Sequence, residues 1–328
     1  MTIGQVAELW RYPVKSLGGA QIEQADVSAR GVLGDRLWAV RDVQKDVTAS
    51  ARQLPVLLTA IARYPSAVPP DAGPGNVPEV EITFPDGTVL SSRDDAVHAK
   101  LSELAGREVR LTALPPADDT SLHKLTREER SETMSAGWLR SAFGMSADEK
   151  LPDLSMVRVS DMVNFTRFST PPGMFVDLAP VHVLTKTSLA TIGAEVGSDL
   201  DVRRFRPNVL LALDNPDDEL PESHWTGARL AVGDVVLNVA MPTIRCVMPS
   251  RAQPGFEVDR RITKAVATRA ERCLGVYCWV DSGGRVQVCD DVSLRPASAG
   301  RKAVATAARR TKRVTFGLFN EALDRLTR

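Results

Sequence analysis

The chain has 328 residues, 43% of them hydrophobic and 25% charged, which is enough for one large core or, more in keeping with its length, two closely packed ones. Lysine plus arginine (41) cancels aspartate plus glutamate (41), so no global field draws in nucleic acid or a membrane, and any anion site must be local. Four cysteines do not suggest a disulfide scaffold, no run of about 18 apolar residues spans a bilayer, and Glu8 and Arg11 interrupt the apolar core a signal peptide needs; the expected compartment is the cytoplasm.

In chain order, "VAELWRYPV" reads as a strand, "DRLWAVRD" alternates as one, and "EVEITFPDGTVLSS" gives two short strands about a Pro85-Asp86-Gly87 turn. "DDAVHAKLSELAG" has helical spacing and stops at Gly106, and a strand, "EVRLTAL", follows. Residues 1–114 thus form a β-rich unit with one helix. Residues 115–153 read as a junction, within which "TREERSETMSAGWLRSAFG" has helical character.

A second block, 154–295, resumes with "APVHVLTKTSLATIGAEVG", a strand running into a helix, and then "FRPNVLLAL", a strand. "ARLAVGDVVLNVAMP" gives two strands about a Gly-Asp turn. "DRRITKAVATRAERCLG" predicts a helix ending near Gly275, and "VYCWVDSGGRVQVCDDVSL" a hairpin whose Ser282-Gly283-Gly284 turn calls for positive φ. Strands outnumber helices without regular βα alternation, so the expected class is mixed α+β and β-rich rather than a doubly wound sheet. Residues 296–328 form a basic helical tail, in which eight cations from Arg301 to Arg328 face only Glu321 and Asp324; it reads as a solvated helix or as a docking surface for an acidic partner.

Several familiar sites are absent: there is no G-x-x-x-x-G-K-[ST] loop, no G-x-S-x-G elbow and no H-E-x-x-H. His98, His123, His182 and His224 lack zinc spacing, and Cys273 and Cys278 begin an iron–sulfur pattern whose next ligand falls on Asp281. What remains is Cys246, set beside Arg245 between Pro242 and Pro249 at the end of an apolar run. A cysteine there either fills space or, with a guanidinium favouring thiolate, serves as nucleophile or soft-metal ligand. Lys15 and Ser16 precede glycines that let backbone N–H groups approach an anion, and Arg36 enters a strand. In "RRFRPN", strand alternation sends Arg204 and Arg206 to one face and Arg203 to the other. Each of these cations is either a surface ion-pair partner or part of one phosphate site.

"LWRYPVKSLGG", "GVLGDRLWAV", "ARQLPVL", "RRFRPNVLL", "ARLAVGDVVL" and "TIRCVMPS" occur in the order and rough spacing of the MOSC superfamily, which the chain resembles over nearly all of its length to about residue 295. The likeness is to the two-domain, amidoxime-reducing group. It implies an N-terminal MOSC-type β-barrel domain packed on a MOSC β-barrel domain, with a molybdenum cofactor (Mo-molybdopterin) between them. Carried over residue by residue, Cys246 would ligate molybdenum, with Arg245 beside it in the catalytic site. Lys15, Ser16, Arg36, Arg204 and Arg206 would hold the phosphate and pterin, and Asn208 and Ser188 would add hydrogen bonds. The activity implied is reduction of N-hydroxylated compounds such as amidoximes or hydroxylamines. No ferredoxin-like domain follows, so electrons would come from a separate ferredoxin or flavoprotein. A cofactor carrier or sulfur relay using Cys246 is the alternative; a fold that has lost the cofactor is a third. Two departures stand out: Ile244 precedes the Arg-Cys pair where proline or serine is usual, and Cys289-Asp290 replaces a Gly-Asp turn. "NFTRFSTPPGMFV", residues 164–176, has no counterpart in the family pattern and is expected to line the substrate entrance.

Overall fold

The computed structural model describes residues 1–297 apart from Met134, Asp148, Lys150, Asp153 and Arg158. The expected basic tail lies outside the described residues from position 298 onward. The first part of the chain runs β1 (Thr2–Arg11), β2 (Ala20–Ile22), β3 (Gln24–Ser28), β4 (Gly31–Val32), β5 (Trp38–Asp42), β6 (Val47–Thr48), β7 (Ile61–Arg63), β8 (Glu81–Thr83), β9 (Val89–Ser91), α1 (Ala96–Ala105) and β10 (Val109–Ala113). Three helices follow: α2 (Arg127–Glu132), α3 (Ala136–Phe143) and α4 (Val159–Phe165). Then come β11 (Val181–Thr185), α5 (Lys186–Val196), β12 (Val209–Leu213), β13 (Arg229–Val232) and β14 (Val235–Ile244). The last described elements are α6 (Arg260–Arg269), β15 (Cys273–Ser282), β16 (Gly284–Gln287) and β17 (Asp291–Arg295).

Seven strands close a barrel in the order β12-β11-β15-β14-β13-β17-β1, with β1 pairing back onto β12. The first strand of the chain therefore sits between two strands that come some 200 and 290 residues later. Inward residues such as Val6, Val183, Leu211, Leu230, Leu237, Val239 and Val276 fill the interior. Burial along β14 alternates residue by residue over its ten positions, as a strand with one face in a core requires. β11 is buried throughout, because α5 and α6 cover its outer face with Ile192, Val196, Ile262 and Val266. A separate core of Val14, Leu17, Val40, Leu57, Ile82, Val97 and Leu101 holds β5, β8 and α1 together. α3 and α4 pack a further apolar cluster against Met241 of β14. The architecture is the mixed, β-rich one expected.

Local signals failed at two stretches marked by glycines. β15 and β16 are not a hairpin: β15 pairs with β11 and β14, whereas β16 pairs with β3. Neither Gly283 nor Gly284 has a positive φ. They are glycines because a Cβ would lie 2.6 Å from the Val27 carbonyl oxygen or 2.7 Å from Asp234 Cβ. Secondly, α6 ends at Arg269, not near Gly275; Glu271 and Arg272 turn left-handed (φ 47° and 64°) and the chain enters β15. Gly275 is a strand residue with φ +79°, where a Cβ would meet His182 Nε2 at 2.3 Å and the Val183 carbonyl oxygen at 2.7 Å. Gly275→Ala should combine backbone strain with overpacking and cost about 2–4 kcal/mol, read as a lowered urea midpoint at unchanged slope; an unshifted midpoint would contradict this packing.

Candidate functional site

Stretches of chain distant in sequence meet at one cavity of about 250 Å³. The "YPVKS" segment is pinned by burying Val14 and Leu17, which leaves Lys15 between them directed to the cavity. Its backbone N–H donates to the Trp38 carbonyl (2.8 Å), and Ser16 Oγ accepts from the Ala51 N–H (2.9 Å). Arg36 follows Asp35, whose carboxylate accepts the Tyr12 N–H at 2.8 Å and pairs with the Arg36 guanidinium. Arg206 donates to the Leu17 carbonyl, and the Arg206 and Arg36 guanidiniums lie 4.2 and 5.2 Å from the Tyr12 ring centroid.

Ser16, Arg36 and Arg206 all take left-handed backbone conformations (φ 70°, 51° and 55°). Glycine would sit there without strain, and a side chain costs of order 1–3 kcal/mol at each. Three such residues facing one cavity mark it as a place where side-chain chemistry outweighs backbone comfort. Cys289 also takes the glycine-like conformation (φ 69°), but it is exposed and does not line this cavity.

Cys246 lies two residues beyond the end of β14 and lines the cavity, partly exposed. The Arg245 N–H donates to the Arg272 carbonyl (2.8 Å) and the Val247 N–H to the Ala142 carbonyl (3.0 Å), so both neighbours of the cysteine are fixed. The Arg245 side chain donates to the Phe205 carbonyl (2.8 Å) and reaches His182 Nε2 at 3.5 Å. His182 Nδ1 in turn faces the Arg206 carbonyl at 3.4 Å, which places the ring proton there and leaves Nε2 to accept. Burial, reinforced by Arg245, holds His182 well below the ordinary histidine range, so it stays neutral.

Among the described residues six cations line the cavity, Lys15, Arg36, Arg52, Arg204, Arg206 and Arg245, against two carboxylates, Glu129 and Asp177. Glu129 is occupied by Lys45 at 2.7 Å. Asp177 pairs with Lys15 at 2.5 Å; burial opposes its ionisation, but Lys15, Arg52 and Arg36 outweigh that and hold the carboxyl well below the usual range. Burial lowers Lys15 and, together with the nearby Arg36, brings Arg206 down to about 10. Arg206 Nη2 and Arg245 Nε are buried without a hydrogen-bond partner among the described residues.

Of the residues expected at the site, Lys15, Ser16, Arg36, Arg206, Arg245 and Cys246 are brought together. Arg204 borders the cavity, yet its guanidinium is engaged by the carbonyls of Pro249, Arg251 and Glu257, so it clamps the loop after Cys246. It reaches that position through a 3-10 turn at Val202–Arg204 rather than a strand, while Arg203 turns back to Asp201. Ser188 and Asn208 are not at the cavity. Ser188 Oγ donates to Glu222 at 2.6 Å, and Asn208 joins the backbones of His182 and Trp10 across three strands. Both are fully committed within the protein. Sequence reasoning missed His182, Asp177, Arg52 and Tyr12; "VHVLT" carried the only local hint, a histidine in an otherwise apolar strand.

Phe165, Phe168 and Ser169, from the stretch expected at the entrance, line the cavity. His123 ties this stretch down: its Nδ1 donates to Thr170 Oγ1 (2.7 Å) and its Nε2 accepts the Gly173 N–H (3.2 Å). Burial pushes His123 down to about 4, against a weaker upward pull from Asp119. With the folded value below the unfolded one near 6.5, its contribution to stability is complete above pH 6.5 and is lost as pH falls through about 4. Between those limits the urea midpoint of the wild type should drop more than that of His123→Gln; parallel curves would show that the ring does not hold the loop.

Residues 3–120 match the model of the MOSC N-terminal beta barrel domain and residues 171–293 that of the MOSC domain. The chain belongs to the MOSC family. Mitochondrial amidoxime-reducing component 1 of Homo sapiens is 26% identical over 259 residues, covering 75% of this chain and 66% of that protein. Mitochondrial amidoxime reducing component 2 of Bos taurus is 21% identical over 308 residues, covering 88% and 83%. Among solved structures, the YUAD protein from Bacillus subtilis aligns over 91% of this chain and 98% of its own at 12% identity, with a TM-score of 0.44. In this MOSC protein Lys15, Ser16, Arg36 and Arg52 come from the N-terminal match, and Asp177, His182, Arg206, Arg245 and Cys246 from the MOSC match. Trp138, Phe165 and Phe168 come from the segment between the two. No helix among the described residues is long and apolar enough to cross a membrane.

Proposed function

We propose that the cavity takes a molybdenum–pterin cofactor and that the chain uses it to reduce N-hydroxylated compounds. The observation that carries this reading is the meeting of a partly exposed cysteine with an excess, among the described residues, of buried and half-buried cations, two of which keep unpartnered N–H donors. Leaving such donors unsatisfied costs about 1–3 kcal/mol each, more for charged groups, and a bound phosphate removes that cost. Among the described residues no group of three His, Cys, Asp or Glu could hold a metal ion. A metal on Cys246 would bring its other ligands with it, as a dithiolene-bearing pterin does.

Cys246 would be the protein's ligand to the metal. Lys15, Ser16, Arg36 and Arg206 would hold the phosphate and pterin, and Arg245, fixed by Phe205 and His182, would stand beside the reacting group. When bound, the cofactor supplies a metal centre that takes up oxygen and passes electrons. In the net reaction the N–O bond of an amidoxime breaks, two electrons and two protons enter, and an amidine and water leave. The electrons come from a separate donor protein of the ferredoxin or flavoprotein class. The names of the relatives, amidoxime-reducing components, support the same reading. Protein isolated from a cofactor-producing host and supplied with a chemically reduced viologen should convert an amidoxime to its amidine. A protein that carries metal and pterin but gives no turnover would overturn the reductase reading in favour of a carrier.

A further inference from the structure

The cations account for one part of the cavity. Another part is an apolar wall whose large side chains come from the segment between the two family matches: Trp138 on α3, Met162 and Phe165 on α4, and Phe168 beyond it. These four side chains line the cavity while only half-buried, and Trp138, Met162 and Phe165 belong to the cluster that holds Leu139, Phe143, Leu154 and Met241. The Arg52 guanidinium lies 5.6 Å from the Trp138 ring centroid and restrains the ring's orientation. Arg52 also follows Ala51, whose N–H is held by Ser16, so the aromatic wall and the cation cluster are coupled through three consecutive links. A polyanionic cofactor complements the cations and leaves this wall wet. The complement of the wall is flat and apolar, and with so many cations close by it carries no positive charge.

We infer that Trp138, Phe165 and Phe168 form the subsite for an aryl group on the substrate, so that the chain prefers neutral aryl amidoximes to small alkyl ones. This rests on the function proposed above. Trp138→Ala should lower the ratio of kcat/KM for an aryl amidoxime to that for its methyl counterpart by about tenfold, chiefly through KM, and Trp138→Phe should restore most of it. Phe168→Ala, on a different element, should move the ratio the same way, and decides the matter if Trp138→Ala does not fold. Equal losses for both substrates, or an unchanged ratio in both alanine variants, would overturn the subsite.

Calorimetry with benzamide and acetamide, neutral amides with no N–O bond to reduce, reads the subsite without turnover. Benzamide should bind the cofactor-loaded wild type more tightly than acetamide does, and that preference should fall about tenfold in Trp138→Ala. A loaded protein that reduces neither amidoxime yet keeps this preference would refute the reductase reading and uphold the subsite. One that reduces both amidoximes with no preference dependent on Trp138 would do the reverse.

Discussion

Cys246→Ser should fold as the wild type does and lose amidoxime reduction altogether. The residue is partly exposed, so exchanging sulfur for oxygen empties no core volume, and stability should change by no more than about 0.5 kcal/mol. Its neighbours are held by backbone hydrogen bonds to Arg272 and Ala142 that do not involve the side chain, so the loop keeps its shape. What changes is the donor atom. A serine hydroxyl stays protonated at neutral pH and is a poor ligand for a soft metal, whereas cysteine sulfur is well matched to one. Turnover equal to the wild type would show that Cys246 is packing beside the cavity rather than the ligand.

Arg206→Ala should leave purified protein with at least about tenfold less bound cofactor, since each charge-assisted bond contributes roughly 1.5–3 kcal/mol. The guanidinium spends one nitrogen on Leu17, lies against Tyr12, and keeps Nη2 without a partner. Burial and the neighbouring Arg36 depress it to about 10, so it is still charged at neutral pH, and an anion beside it would push the value back up. Alanine inherits the same left-handed backbone (φ 55°), so the strain persists while the charge goes. Molybdenum and oxidised-pterin fluorescence per chain measure the outcome, and full occupancy in the variant would remove Arg206 from the anion site.

Four of the cations that meet at the cavity were legible because each stood in a local pattern that demanded explanation: Lys15 ahead of a glycine pair, Arg36 entering a strand, Arg206 in an arginine run before Pro207, and Arg245 beside Cys246. Their convergence was not, because it depends on β1 entering a barrel built mostly from the other end of the chain. Asp177 carries no signal at all until residues 15 and 52 are brought to it. Arg204 and Asn208 had the right composition for a ligand site, but loop carbonyls and a neighbouring strand claimed them first. Gly283 and Gly284 resembled turn residues because sequence shows a glycine's freedom and hides its neighbours; close approach to Val27 and Asp234 is a long-range fact. The junction helices were visible as elements, while the cavity face they build emerged only from their packing against Met241.

The central claim is that a cysteine and scattered cations converge to hold one metal–pterin group. Its most direct test is the metal and pterin content of the wild-type protein isolated from a cofactor-producing host. Molybdenum and pterin in equal, near-stoichiometric amounts are the expected result; a folded protein carrying neither would contradict the account.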